Sequence, residues 1–103
     1  MELLLILFKS RLPEEDVLAI DDDRAEKYLG VKGLILKFYV QDKQSNHIGG
    51  VFVFDSKENL KSFLESTLAR STSKAYKFIE SPMIRVLEIK RALITNTAMT
   101  LHE

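Results

Sequence analysis

Cysteine and tryptophan are both missing from this 103-residue chain, and there are only four glycines and two prolines. Without cysteine there is no disulfide framework, no thiol nucleophile and no thiolate metal site, which fits a reducing compartment. So few glycines and prolines leave no linker and no low-complexity segment, and the length suits one domain spanning residues 1–103. Fifteen basic and fifteen acidic residues cancel. No global field therefore draws the chain to nucleic acid or to an anionic membrane. Long apolar runs are also lacking. The longest, Leu3–Phe8, is six residues, too short to span a bilayer. An acid precedes it and no small-residue cleavage site follows, so it is not a signal peptide either. We expect a cytoplasmic protein with no membrane segment and no nucleic-acid partner.

What is present is an ordinary globular composition, 46% hydrophobic and 29% charged. The charge is uneven: residues 1–30 carry eight acids and four bases, residues 57–91 four acids and eight bases. Leu3–Phe8 is a first strand. Pro13 opens a helix whose first turn holds Glu14, Glu15 and Asp16, where the helix dipole favours anions. Val17, Leu18, Ile20, Ala25, Tyr28 and Leu29 supply its apolar stripe and Gly30 ends it. Leu34–Gln41 and Ile48–Phe54 form a hairpin across the polar turn Asp42–His47. Asp55, with Glu58 three residues on, caps a helix over 56–69. Ser71–Ser81 reads as a loop with a short extended piece at Tyr76–Ile79. Met83–Lys90 is the last long strand, and the tail, about 93–103, has no clear pattern.

The order β-α-β-β-α-β predicts an α+β, ferredoxin-like fold: one antiparallel sheet with two helices on one face. A sheet covered on one side alternates apolar and polar residues. The first strand does not, because Leu3, Leu5 and Leu7 oppose Leu4, Ile6 and Phe8. The third repeats this, with Val51 and Val53 opposite Phe52 and Phe54. Two helices cannot cover both faces, so the second face calls for a partner, most simply a second copy in a symmetric homodimer.

Two segments carry a family resemblance. One is Gly33–Tyr39 with Asn46–Phe54; the other is Leu68–Tyr76 followed by Arg85–Ile89. Together they resemble the YdhR-type monooxygenases of the dimeric α/β-barrel superfamily, in order and spacing over about residues 3–92. The resemblance implies ferredoxin-like protomers whose sheets pack into a shared barrel. Each protomer would hold a small-molecule pocket between sheet and helices. Relatives in that superfamily include haem-degrading enzymes and quinone-forming oxygenases that use neither metal nor flavin. The latter remove a proton from a phenolic substrate, and the resulting anion reacts with oxygen directly. Both kinds lean on tryptophan, so with none in this chain neither site is carried over residue by residue. The resemblance points to a cofactor-free monooxygenase acting on an apolar aromatic molecule. The alternatives are a non-catalytic small-ligand-binding or stress-response dimer, and a structural dimer with its pocket packed shut by Phe38, Phe52, Phe54 and Phe63.

Candidate catalytic residues are His47, Lys37 and Tyr39. His47, beside Asn46 and before Gly49-Gly50, has an imidazole suited to proton removal near neutral pH; the plainer reading is a solvated turn residue. Lys37 and Tyr39 share one face of the second strand and together could hold a phenolate. An ion pair of Lys37 with Glu88, or snorkelling to solvent, is the alternative. Arg70, Tyr76 and Phe52 are candidate substrate-binding residues, although Arg70 would equally complement the end of its helix. Asp21-Asp22-Asp23 cannot converge on a metal from consecutive helical positions and reads as a hydrated face. His47 and His102 show no ligand spacing. No metal and no cofactor is expected.

Overall fold

β1 (Glu2–Phe8) is one of the two inner strands of the sheet and is apolar on both faces. It pairs antiparallel with β3 (His47–Phe54) on one side and β4 (Met83–Glu88) on the other, and β2 (Leu34–Asp42) pairs with β3. The order β2-β3-β1-β4 is that of the ferredoxin-like α+β fold, as an open rather than a closed sheet. The computed structural model describes residues 1–95. Most of the tail from 93, His102 included, lies outside the described residues.

α1 (Glu14–Leu29) begins after Pro13, whose fixed φ of −67° suits a helix start, and ends at Gly30. Its buried stripe differs from the expected one. Val17, Arg24 and Tyr28 are buried and Asp21 is half-buried, while Leu18, Ala25 and Leu29 face solvent. Positions 17, 21, 24 and 28 follow the three-four spacing of one helix face, and that face is partly polar.

The second helix is broken. α2 (Lys57–Glu65) is capped by Ser56, whose Oγ accepts from the Asn59 amide at 3.2 Å. Asp55, the expected cap, instead accepts from the Asn59 side chain at 2.8 Å. At Ser66 the backbone turns extended (ψ 158°) and its Oγ caps α3 (Thr67–Arg70) by accepting from Ala69 N. Serine competes for backbone groups in this way and so ends helices. α4 (Thr72–Ala75) occupies the expected loop, followed by a single bridge between Ser10 and Phe78. β4 stops at Glu88, two residues earlier than expected.

Leu4, Phe52 and Phe54 on the inner face pack with Tyr28, Leu60 and Phe63; Phe8 packs with Val17 and Tyr76. Burying each large apolar side chain contributes about 1.5–3 kcal/mol. On the opposite face Leu5 lies between Val51 and Arg85, and Leu3 between Val53 and Leu87. That face stays open: Leu36, Phe38, Met83 and Leu87 are 39%, 42%, 52% and 48% exposed.

Candidate functional site

A register shift between Leu34 and Leu36 decides which β2 side chains reach the inner face. Beyond it Lys37 lies opposite Phe52 and Tyr39 opposite Gly50, so both turn toward the helices while Phe38 turns away. Gly50 lets both side chains pack closely against the strand. A Cβ on it would come within 3.2 Å of Lys37 Cε and 3.0 Å of the Phe52 ring. A cavity of about 590 Å³ lies between the inner face of the sheet and α1. Lys37, Tyr39, Phe52, Asp21, Tyr28 and Tyr76 give its walls their chemistry.

Lys37 Nζ stands over three rings, 3.6 Å from the centre of Tyr28, 4.1 Å from Tyr39 and 5.0 Å from Phe52. Cation–π attraction favours the ammonium there. Burial opposes it more strongly and pulls the Lys37 pKa down to about 8, with the Asp21 charge only partly offsetting the loss of solvent. Among the described residues no carboxylate forms an ion pair with Lys37, and the ion pair present is Lys9–Glu80 at 3.8 Å, on the surface.

Tyr76 Oη donates to Asp21 Oδ1 at 2.5 Å. Burial raises the Asp21 pKa above the ordinary carboxylate value, against the lowering effects of that hydrogen bond and of the Lys37 charge. Burial, then the hydrogen bond to Asp21, pushes the Tyr76 hydroxyl strongly upward, and burial also raises Tyr39. Asp21 is thus a carboxylate made more basic than usual and open to the cavity.

Arg24 fixes this arrangement from behind. Its Nη2 donates to Leu68 O at 2.8 Å and Thr72 Oγ1 at 3.1 Å, and Nη1 donates to Ser71 Oγ at 3.1 Å. Its guanidinium lies 5.7 Å from the centre of the Tyr76 ring. The planar fork ties α1 to the α3–α4 turn and so places Tyr76 against Asp21.

Residues 3–97 match the model of the family described as "Putative mono-oxygenase ydhR". The chain belongs to this family. No curated protein matches it. Solved structures share the fold. A "putative antibiotic biosynthesis monooxygenase" from Deinococcus radiodurans is 14% identical with a TM-score of 0.70, over 93% of this chain and 99% of that one. A protein of unknown function, NE2512 from Nitrosomonas europaea, is 15% identical with a TM-score of 0.71, over 92% and 94%. SnoaB, a cofactor-independent oxygenase from Streptomyces nogalater, is 8% identical with a TM-score of 0.70, over 89% and 95%.

Within this mono-oxygenase family member, four of the six residues singled out from sequence come together: Lys37, Tyr39, Phe52 and Tyr76 line one cavity. His47 does not join them. It opens β3 opposite Asp42, with Nδ1 2.7 Å from Ser45 Oγ, outside the cavity wall. Arg70 is exposed at the end of α3 and is also outside the wall. The Lys37–Glu88 ion pair is not formed, because Glu88 sits opposite Glu2 on the far edge strand. The four phenylalanines do not fill the pocket. Phe38 faces the open side and Phe54 sits in the core, leaving Phe52 and Phe63 as two of its walls. Asp21 is a correction to the hydrated-face reading of Asp21-Asp22-Asp23, as it alone of the three lines the cavity. The spacing of Val17, Asp21, Arg24 and Tyr28 carried that signal. Among the described residues no three His, Asp or Glu side chains group as a metal site, and no helix is long and apolar enough to cross a membrane.

Proposed function

We propose that this cavity is the active site of a cofactor-independent monooxygenase acting on an apolar phenolic or anthrone-like aromatic molecule. The observation that carries the reading is the set of ionisable groups, Lys37, Asp21, Tyr39 and Tyr76, facing one cavity with aromatic walls. Its volume of about 590 Å³ suits a small polycyclic molecule. The cofactor-independent chemistry named for SnoaB supports it, as does the family's own description.

Asp21 takes the acidic proton of the substrate, its raised pKa making it the better base. The Lys37 ammonium and the Tyr39 hydroxyl hold the resulting anion in a site of low dielectric. The anion passes electrons to oxygen, and overall a ring CH2 plus O2 becomes a ring C=O plus water. Oxygen-electrode assays over a panel of hydroquinones and anthrones test this reading. We expect uptake above buffer that falls at least about tenfold in Asp21→Asn, a typical effect of losing a general base. Uptake no greater than buffer across the panel refutes it. The position of His47 outside the cavity favours a second reading, a non-catalytic binding dimer, and binding without uptake would select it.

The functional unit is a homodimer joined through the open sheet face, a reading supported by the exposure of Leu36, Phe38, Met83 and Leu87 on a face without helices. Light scattering should give twice the 11.8 kDa chain mass. A monomer at micromolar concentration refutes it.

A further inference from the structure

We infer that Lys37 is an imine-forming nucleophile that captures aromatic aldehydes and ketones entering the cavity. The inference rests on the reading that the cavity admits an apolar aromatic molecule, and it adds a covalent activity that oxygenation does not require.

The geometry supplies what such an amine needs. Lys37 reaches the cavity from a strand rather than a mobile loop, and its stem is fixed between β3 and α1. Nζ stands against π faces, and among the described residues no carboxylate forms an ion pair with it. The missing side chain at Gly50 lets the Lys37 stem and the Phe52 ring pack against the strand, which holds the amine at the cavity wall. Tyr28, Tyr39 and Phe52 give the cavity aromatic walls, against which an aromatic carbonyl compound would lie with its carbon near the amine. With a pKa of about 8, Lys37 at pH 7.4 is a neutral amine on the order of a hundred times more often than an ordinary surface lysine.

The step balances without any redox partner. The nitrogen lone pair attacks the carbonyl carbon, the C=O π pair moves to oxygen, and one proton passes from nitrogen to that oxygen to give a carbinolamine. The hydroxyl then leaves with a second proton as water while C=N forms. Tyr39 and the Tyr76–Asp21 pair face the same space and can relay those protons.

The test uses the full chain under nitrogen, which silences oxygen chemistry. One arm titrates 2-naphthol, which has no carbonyl, and follows its fluorescence. The other adds 2-hydroxy-1-naphthaldehyde at a sub-stoichiometric ratio, traps imine with cyanoborohydride and maps the labelled peptide by mass spectrometry. We expect one dominant adduct, with Lys37 labelled at least about tenfold more than exposed lysines such as Lys43 or Lys74. Lys37→Met should lose the adduct; mapping on the unaltered chain stands whether or not that variant folds or holds 2-naphthol. Binding of 2-naphthol with Lys37 unlabelled, or labelled no more than surface lysines, overturns the imine and leaves the cavity reading intact. Neither binding nor adduct overturns both.

Discussion

Replacing Arg24 by methionine is the sharpest check on how the site is held together. Arg24 is 6% exposed and makes three hydrogen bonds of 3.1 Å or shorter to Leu68 O, Ser71 Oγ and Thr72 Oγ1. Hydrogen bonds to a charged group contribute about 1.5–3 kcal/mol each, which sets an upper bound of several kcal/mol. Two effects reduce that figure. Ser71 and Thr72 also donate to Leu68 O, at 3.0 and 3.3 Å, so these groups are not all orphaned when the guanidinium leaves. Arg24 Nε is buried without a partner, and removing it relieves a desolvation penalty of about 1–3 kcal/mol. Methionine also keeps most of the packing volume. The balance is a loss of about 2–3 kcal/mol, which in a domain of this size lowers Tm by about 10–20 °C. Arg24→Lys should sit nearer methionine than arginine, because one ammonium cannot reproduce the fork. Thermal unfolding followed by circular dichroism measures both. A Tm within about 2 °C of the parent for Arg24→Met would show that the fork does not hold the α3–α4 turn, and the account of Tyr76 placement would fall with it.

Lys37→Met should stabilise the chain at pH 7 by on the order of 1 kcal/mol, since the desolvated ammonium is removed and partial exposure screens the rest. In the parent, folded Lys37 releases its proton near pH 8 while the unfolded chain keeps its own to 10.5, so this group adds stability as pH rises from 8 to 10.5. Urea midpoints at pH 7 and pH 10 should therefore converge for the two proteins, and a constant gap would refute the shift. Phe54→Ala, at a fully buried core position, should lose about 3–5 kcal/mol in urea unfolding. Gly49→Ala should lose the fold, because its Cβ would overlap the Ile6 carbonyl oxygen across the β1–β3 ladder; a soluble variant with native circular dichroism would contradict the strand register.

The sheet was legible because its signal is a failure of alternation. β1 and β3, the two strands apolar on both faces, are the two inner strands of the sheet. Lys37 was legible for the same reason in reverse, as a charge inside an apolar strand, although the sequence did not say what surrounds it. Ion pairing with Glu88 looked plausible along the chain and is excluded by strand order, which no local pattern encodes. Asp21 and Arg24 are hidden from a hydrophobic pattern because their side chains are polar. Their spacing relative to Val17 and Tyr28 was nevertheless that of a buried stripe. His47 is the opposite case, since an imidazole's chemistry says nothing about where its ring points, and it lies outside the cavity wall. The physical lesson lies in the contrast between those residues. Reactivity is a property of the side chain, but a site is a property of direction, and direction here depends on one register shift in β2 and one helical turn in α1. A shift of one residue in β2 would send Lys37 and Tyr39 to the open face and Phe38 into the cavity, leaving Asp21 and Tyr76 with no cation opposite them.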